Sequence, residues 1–170
     1  VEIIYEDFKN LDNLKNTIIG DDCFFCIGTT KKDTPNKKEY RRVEYDIPVN
    51  IARIAKKNSI NSFFYISSIG ANSSVSNSYL RNKGQVEDEL VKLNFTKLAI
   101  LRPSLLLGNR KSFRLGERIA QLIMTKISII FIGKIKKFKP IKATDVAKAI
   151  INITKNDYKI KIFESNKLLE

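Results

Sequence analysis

The stretch that decides the fold runs from residue 63 to residue 85 and reads FFYISSIGANSSVSNSYLRNKGQ. It opens with an apolar run, Phe63 to Ile66, which is typical of a buried strand. Two serines end the run, and a polar loop follows. Tyr79 and Lys83 come next, and their four-residue spacing places them on the same face of a helix. The stretch therefore predicts a strand and a helix that together present hydroxyl groups, a Tyr and a Lys, which suits proton transfer.

Strand and helix patterns alternate along the rest of the chain. Other strand-like apolar runs are Val1–Tyr5, Cys23–Ile27, Lys97–Leu101 and Lys159–Phe163. Helical patterns cover Lys9–Ile18, Glu39–Lys57, Ser78–Leu93 and Val146–Ile153. Pro48 predicts a kink or break in the second of these helices, and Asp145 predicts a cap for the last. Because the strands are continuous apolar runs, we expect an α/β fold with a doubly wound parallel sheet.

Length and composition indicate one globular domain over residues 1–170. The chain has 43% hydrophobic and 29% charged residues and a net charge of +13. Such a charge attracts polyanions, but it is spread along the chain without a nucleic-acid recognition motif, so no specific nucleic-acid partner is expected.

The absence of His excludes His-based catalysis and His metal sites, and no metal site is predicted. Cys23 and Cys26 lie in a strand-like run, and two buried structural thiols are favoured over a redox pair.

The first residues give an expectation about the cellular compartment. No apolar run approaches the roughly 20 residues that cross a bilayer, so no membrane span is expected. The start of the chain lacks the basic-then-apolar pattern of a signal peptide, and a cytoplasmic protein is predicted.

Small and polar groups follow three of the predicted strands. They are Gly28-Thr29-Thr30, Ser67-Ser68-Ile69-Gly70 and Arg102-Pro103-Ser104. Because ligands bind an open parallel sheet at the carboxyl ends of its strands, we expect these groups to line one site.

These motifs resemble those of the short-chain dehydrogenases/reductases. Tyr79 and Lys83 resemble the family's Tyr-x-x-x-Lys signature, and Leu101-Arg102-Pro103 with Gly108 resembles an Arg-Pro element of its extended and atypical members. The resemblance is to the atypical branch that contains the human Tat-interacting oxidoreductase-like protein. That branch has similar Cys-x-Gly-Thr-Thr, Ser-Ser-x-Gly-Ala and Tyr-Leu-x-x-Lys-Gly-x-Val-Glu elements, here Cys26–Thr30, Ser67–Ala71 and Tyr79–Glu87.

The resemblance implies an NAD(P)-dependent oxidoreductase or epimerase-type enzyme that acts on a small molecule. Tyr79 would be the general acid/base, Lys83 would lower the Tyr79 pKa and hold the nicotinamide ribose, and Ser67 or Ser68 would orient the substrate oxygen. The implied cofactor is NADP or NAD. Its expected binding residues are Asp7, Gly28, Thr29, Thr30, Lys83, Arg102 and Pro103.

Two departures from the family pattern leave alternatives open. No Gly-rich phosphate loop is present, so the first βαβ unit is expected to be absent and the chain to be the C-terminal three-quarters of a longer domain. Glu44 also stands where many relatives have an asparagine in a proton relay. The alternative is therefore a non-catalytic NADP(H)-binding regulatory or assembly protein, which would have a protein partner. A third reading is a polyanion-binding protein driven by the net charge.

Overall fold

The structure, a computed structural model, describes residues 3–4, 8–107 and 137–168. Its strands are β1 (Asp22–Phe25), β2 (Ser62–Ile66), β3 (Lys97–Arg102), β4 (Leu106–Leu107), β5 (Ile141–Lys142) and β6 (Ile160–Glu164). Its α-helices are α1 (Lys37–Arg41), α2 (Ile47–Lys57), α3 (Ser78–Lys92) and α4 (Ala143–Thr154). A π-helical turn (Arg42–Asp46) joins α1 to α2, and 3₁₀ helices cover Leu11–Asn16 and Ser165–Leu168.

Four of the described strands form one parallel sheet in the order β1-β2-β3-β6. A short parallel pair, β4 and β5, lies apart from it. Parallel neighbours need crossover connections, and the helices that follow β1, β2 and β5 supply them. The continuous apolar runs of β2 and β3 are explained by their central place, where both faces of the sheet are covered.

Two separate cores cover the two faces of the sheet. Phe63 and Tyr65 point to one face, where they pack with the apolar residues of α2 and α3. Phe64 points to the other face, where it joins a cluster that includes Val146 and Ile153 of α4. This alternation of side chains along β2 follows the two-residue period of a strand. Helices on both faces of a parallel sheet confirm the predicted α/β, doubly wound fold.

The helix predicted over Glu39–Lys57 is interrupted, as Pro48 indicates. A proline cannot donate a hydrogen bond to the carbonyl four residues earlier, and its ring conflicts with that carbonyl. The backbone widens just before Pro48 into the π-helical turn, whose end is marked by a hydrogen bond from the Ile47 N–H to the Arg42 carbonyl. The turn carries Glu44, which is buried.

Two local predictions are wrong. Helix α4 begins at Ala143, with Lys142 as its N-cap and no side-chain cap bond, so Asp145 lies in the first turn. Its carboxylate there complements the positive end of the helix dipole. Cys26 is exposed, because β1 ends at Phe25 and the thiol lies in the irregular segment beyond it. Cys23 is half-buried, and burial raises the pKa of its thiol to about 11.

Some sequence predictions fall outside the described residues. The predicted strand Val1–Tyr5 does so apart from Ile3 and Ile4, and so do Asp7 and Gly108. The helix predicted over Lys9–Ile18 is present only as the 3₁₀ helix Leu11–Asn16.

Candidate functional site

The start of α3 places Tyr79 and Lys83 at the carboxyl end of the sheet. Asn77 caps this helix, since its side-chain oxygen accepts hydrogen bonds from the Tyr79 N–H at 3.0 Å and the Leu80 N–H at 3.2 Å. Tyr79 therefore lies in the first turn, and Lys83 follows one turn later on the same face. The Lys83 Nζ lies 5.9 Å from the centre of the Tyr79 ring.

A cavity of about 840 Å³ brings most of the predicted site residues together. It is lined by Tyr79 and Lys83 from α3, by Ser67 after β2, and by the segment after β1. That segment contributes Cys26, Ile27, Gly28, Thr29, Thr30 and Lys31. Six positions besides Lys83 were predicted to bind the cofactor, and three of them, Gly28, Thr29 and Thr30, line this cavity. We call it the cofactor cleft.

Lys83 is buried in this cleft and is paired with a carboxylate. Its Nζ lies 3.2 Å from Glu44 Oε2 and donates a hydrogen bond of 3.3 Å to the Ile66 carbonyl. Burial lowers the pKa of Lys83, and the Glu44 carboxylate opposes that shift. The carboxylate therefore favours the charged form of a lysine that has little access to water.

The pKa of Tyr79 is raised, which is the opposite of the direction expected from the sequence. Burial is the main cause, and the Glu44 carboxylate adds to it, while a hydrogen bond with Ser68 acts in the other direction. The expected lowering by Lys83 assumed a free ammonium charge. In the structure that charge is neutralised by Glu44, so Tyr79 faces an ion pair.

Sequence reasoning missed the central place of Glu44 in the site. Besides pairing with Lys83, its Oε1 accepts a hydrogen bond of 2.6 Å from the Thr29 N–H, so it ties the helix to the loop after β1. One feature of the sequence could have indicated that this carboxylate is buried and paired. Glu44 lies four residues after Tyr40 and three before Ile47, inside the apolar stripe of the helix, where a charge is costly unless it is paired.

The two serines have different surroundings. Ser67 is buried, and its hydroxyl donates to Glu87 Oε1. Arg102 also holds Glu87, from Nε at 3.0 Å and from Nη2 at 2.5 Å, and it contacts Glu164 at 3.4 Å. Ser68, in contrast, is the partner of Tyr79. The structure thus brings Ser68 to the tyrosine hydroxyl and does not bring Arg102 to the cofactor cleft.

A second cavity of about 470 Å³ adjoins the cofactor cleft. Tyr79, Ser67, Thr30 and Leu106 line both cavities, so the two meet at these side chains. Pro103, which was expected to bind the cofactor, lines this second cavity and not the cofactor cleft. Its other lining residues are Ser68, Ile69, Ser104, Leu105, Leu107 and Ala143. We call it the inner pocket.

Comparison with curated proteins finds relatives over much of the chain, although no family model matches it. The mitochondrial protein FMP52 of Candida albicans is 35% identical over 141 residues, which are 82% of this chain and 61% of that protein. Protein HTATIP2 of Rattus norvegicus is 36% identical over 116 residues, which are 68% of this chain and 48% of that protein. The chain thus spans less than two thirds of the length of either relative.

The solved structures that share this fold include reductases and epimerases. A dTDP-4-dehydrorhamnose reductase from Bacillus anthracis in complex with NADP has a TM-score of 0.66 at 14% identity, over 94% of this chain and 62% of that one. A UDP-N-acetylglucosamine 4-epimerase from Methanobrevibacter ruminantium has a TM-score of 0.64 at 15% identity, over 89% and 57%. MoeE5, in complex with UDP-glucuronic acid and NAD, has a TM-score of 0.60 at 14% identity, over 92% and 58%. NADP and NAD, the cofactors predicted from the sequence, are those that two of these neighbours hold.

The comparisons correct one prediction. A cytoplasmic location is wrong, because the FMP52 proteins of Candida albicans and Debaryomyces hansenii are mitochondrial by name. Within the described ranges, no helix is both long and apolar enough to span a membrane, and no group of three or more Cys, Asp or Glu side chains is arranged to hold a metal.

Proposed function

Because the chain is an atypical short-chain dehydrogenase/reductase with a Rossmann-type fold, we propose that it carries the catalytic site of an NAD(P)-dependent oxidoreductase or epimerase-type enzyme. One observation carries the proposal. Tyr79 lies where the cofactor cleft and the inner pocket meet, with Ser68 as its hydrogen-bond partner and the Lys83 ammonium 5.9 Å from its ring centre. A cofactor on one side and a substrate on the other would both reach this hydroxyl.

The cofactor cleft fits the nicotinamide end of such a cofactor. Its volume of about 840 Å³ lies within the range of small-molecule sites. At Gly28 a Cβ would approach Glu44 Oε1 to 3.2 Å, so the bare backbone leaves room for the Glu44 carboxylate that pairs with Lys83. Gly28, Thr29 and Thr30 would hold the cofactor along the loop, and Lys83 would hold it from α3. When bound, NADP or NAD supplies or accepts the hydride.

The residues of the chain supply the proton and the orientation. In a reduction, the Tyr79 phenol donates its proton to the substrate carbonyl oxygen as that oxygen becomes an alcohol. The Ser68 hydroxyl donates a second hydrogen bond to the same oxygen and thereby fixes its position. Glu44 holds Lys83 in its charged form and fixes the loop at Thr29. The raised pKa of Tyr79 keeps the phenol protonated at neutral pH, which favours the direction that needs an acid.

The test is the Tyr79→Phe variant of the purified protein. We expect NADPH- or NADH-dependent turnover of carbonyl compounds to fall about 10²–10⁴-fold, the usual contribution of a general acid. Cofactor affinity, measured by nicotinamide fluorescence, should stay within about threefold, since the ring that lines the cleft is kept. Tyr158→Phe is the matched control, because Tyr158 belongs to the core on the other face of the sheet. Full turnover by Tyr79→Phe on a substrate of the parent would rule out the proposal.

The second candidate is a protein that binds NADP(H) without catalysis and acts through a protein partner. The Glu44–Lys83 ion pair favours it, because it removes the free ammonium that would lower the pKa of the acid/base. The same assay separates the two candidates. Tight cofactor binding with no turnover of carbonyl compounds or alcohols, and no difference between the parent and Tyr79→Phe, would select the non-catalytic function.

A further inference from the structure

The inner pocket indicates what kind of substrate this site accepts. It shares Tyr79 with the cofactor cleft, so it lies on the path of a molecule that reacts at the tyrosine hydroxyl. Among the described residues that line it, none is charged. Six of them are apolar, namely Ile69, Pro103, Leu105, Leu106, Leu107 and Ala143.

The polar side chains of this lining are largely used within the protein. Ser67 donates to Glu87, and Thr30 donates to Asp33 Oδ2 at 2.7 Å. Ser104 donates to the Lys139 carbonyl at 2.5 Å and accepts a hydrogen bond of 3.0 Å from Ser165. These hydroxyls keep their protein partners when the pocket fills, so they offer little to the hydroxyl groups of a substrate.

Two hydroxyl groups of the described lining stand apart from the others. Besides its bond with Tyr79, the Ser68 hydroxyl makes one long contact of 3.4 Å within the described ranges, to the neighbouring Ile69 carbonyl. Tyr79 lines the same pocket as Ser68. These two neighbouring hydroxyl groups match one carbonyl oxygen, and most of the described side chains around them are apolar.

We propose that the substrate is a carbonyl compound, or the matching alcohol, with a single oxygen function at the reacting carbon and apolar groups beside it. The inference rests on the proposed function and deepens it. A polyhydroxylated ring would lose water from its hydroxyls here without regaining hydrogen bonds. Examples are the sugars of UDP-N-acetylmuramic acid, bound to the 4-epimerase, and of UDP-glucuronic acid, bound to MoeE5. The site therefore selects against extra hydroxyl groups on the ring that carries the carbonyl.

The test compares two ketones of nearly the same shape. We expect 4-methylcyclohexanone to be reduced with a kcat/KM about 100-fold above that of 4-hydroxycyclohexanone, since the two differ only in a methyl and a hydroxyl group. Leu105→Asn places a hydrogen-bonding side chain in the apolar wall, and it should reduce this ratio at least about fivefold. Val91→Asn is the matched control, because Val91 is 44% exposed, as against 40% for Leu105, and it lies outside both cavities.

A binding measurement separates failure of the inference from failure of the proposed function. Saturation-transfer NMR reports binding of the two ketones without turnover, and Leu105→Trp should fill the pocket and weaken the signal of 4-methylcyclohexanone. Absence of turnover with this binding preference intact would overturn the proposed function and leave the apolar pocket supported. Equal or better turnover or binding of 4-hydroxycyclohexanone would overturn the inference, whether or not Tyr79→Phe abolishes catalysis.

Discussion

Replacing Glu44 by Gln tests whether the Glu44–Lys83 ion pair stabilises the fold around the site. The Glu44 side chain is 1% exposed and that of Lys83 is 6% exposed, and their charged atoms lie 3.2 Å apart. Gln has nearly the shape of Glu, and its carbonyl oxygen can keep the hydrogen bond from the Thr29 N–H. The substitution therefore removes the charge of Glu44 and little else.

The expected loss follows from the burial of the pair. Removing one member of a buried ion pair leaves the other charge unpaired and costs about 3–5 kcal/mol. With a urea m-value of about 2 kcal/mol per molar, the unfolding midpoint should fall by about 1.5–2.5 M. The measurement belongs at pH 6, because burial lowers the pKa of Lys83 and its charge must be present in both proteins.

A double-mutant cycle isolates the pairwise energy. Lys83→Met should cost a similar amount, since it leaves a buried carboxylate, whereas the double variant should cost at least about 1 kcal/mol less than the sum of the two. Glu89→Gln is the control, because its partners Arg53 and Lys92 are 56% and 69% exposed, and water screens such exposed ion pairs so that they add little to stability. Additive effects, or a loss below about 1 kcal/mol for Glu44→Gln, would refute the reasoning.

Two further predictions concern pH and packing. The pKa of Tyr79 is raised above its ordinary value of 10.0, and alcohol oxidation needs the tyrosinate, so kcat/KM for oxidation should still be rising at pH 10. For carbonyl reduction, which needs the phenol, kcat/KM should be constant through neutral pH. A plateau of kcat/KM for oxidation below pH 8 would contradict this prediction. Gly84→Ala should lower the free energy of unfolding by about 1–3 kcal/mol, because the new Cβ would clash with the backbone of Asn72 and Ser73. A gain in thermal stability, which Ala usually gives in a helix, would show that α3 does not approach this loop so closely.

The sequence predicted those parts of the fold and site that depend on local patterns. The apolar runs predicted the strands, and the spacing of Tyr79 and Lys83 predicted a shared helix face. The choice between Ser67 and Ser68, in contrast, could not be predicted from a local pattern. It depends on Glu87, twenty residues beyond Ser67, and no local pattern says which hydroxyl that carboxylate will take.

The chemistry of the site depended even more on distant residues. The resemblance implied that Arg102 binds the cofactor, whereas two carboxylates, those of Glu87 and Glu164, hold its guanidinium outside the cofactor cleft. The direction of the Tyr79 pKa was predicted from one neighbour, Lys83, without the carboxylate that neutralises it. A pKa and an ion pair both depend on which charges the fold brings together, and these charges are far apart in the sequence.

The distribution of charge in the site argues for the same substrate as the shape of the inner pocket does. The chain as a whole carries a net charge of +13, yet Lys83, the cation beside Tyr79, is paired with Glu44. A buried carboxylate is costly, so a site that had to attract a diphosphate or a carboxylate near its reacting atom would gain by leaving this cation unpaired. The pairing of Lys83 with Glu44 leaves little net charge beside Tyr79. A neutral, largely apolar carbonyl compound is the reactant that such a site binds without an electrostatic penalty.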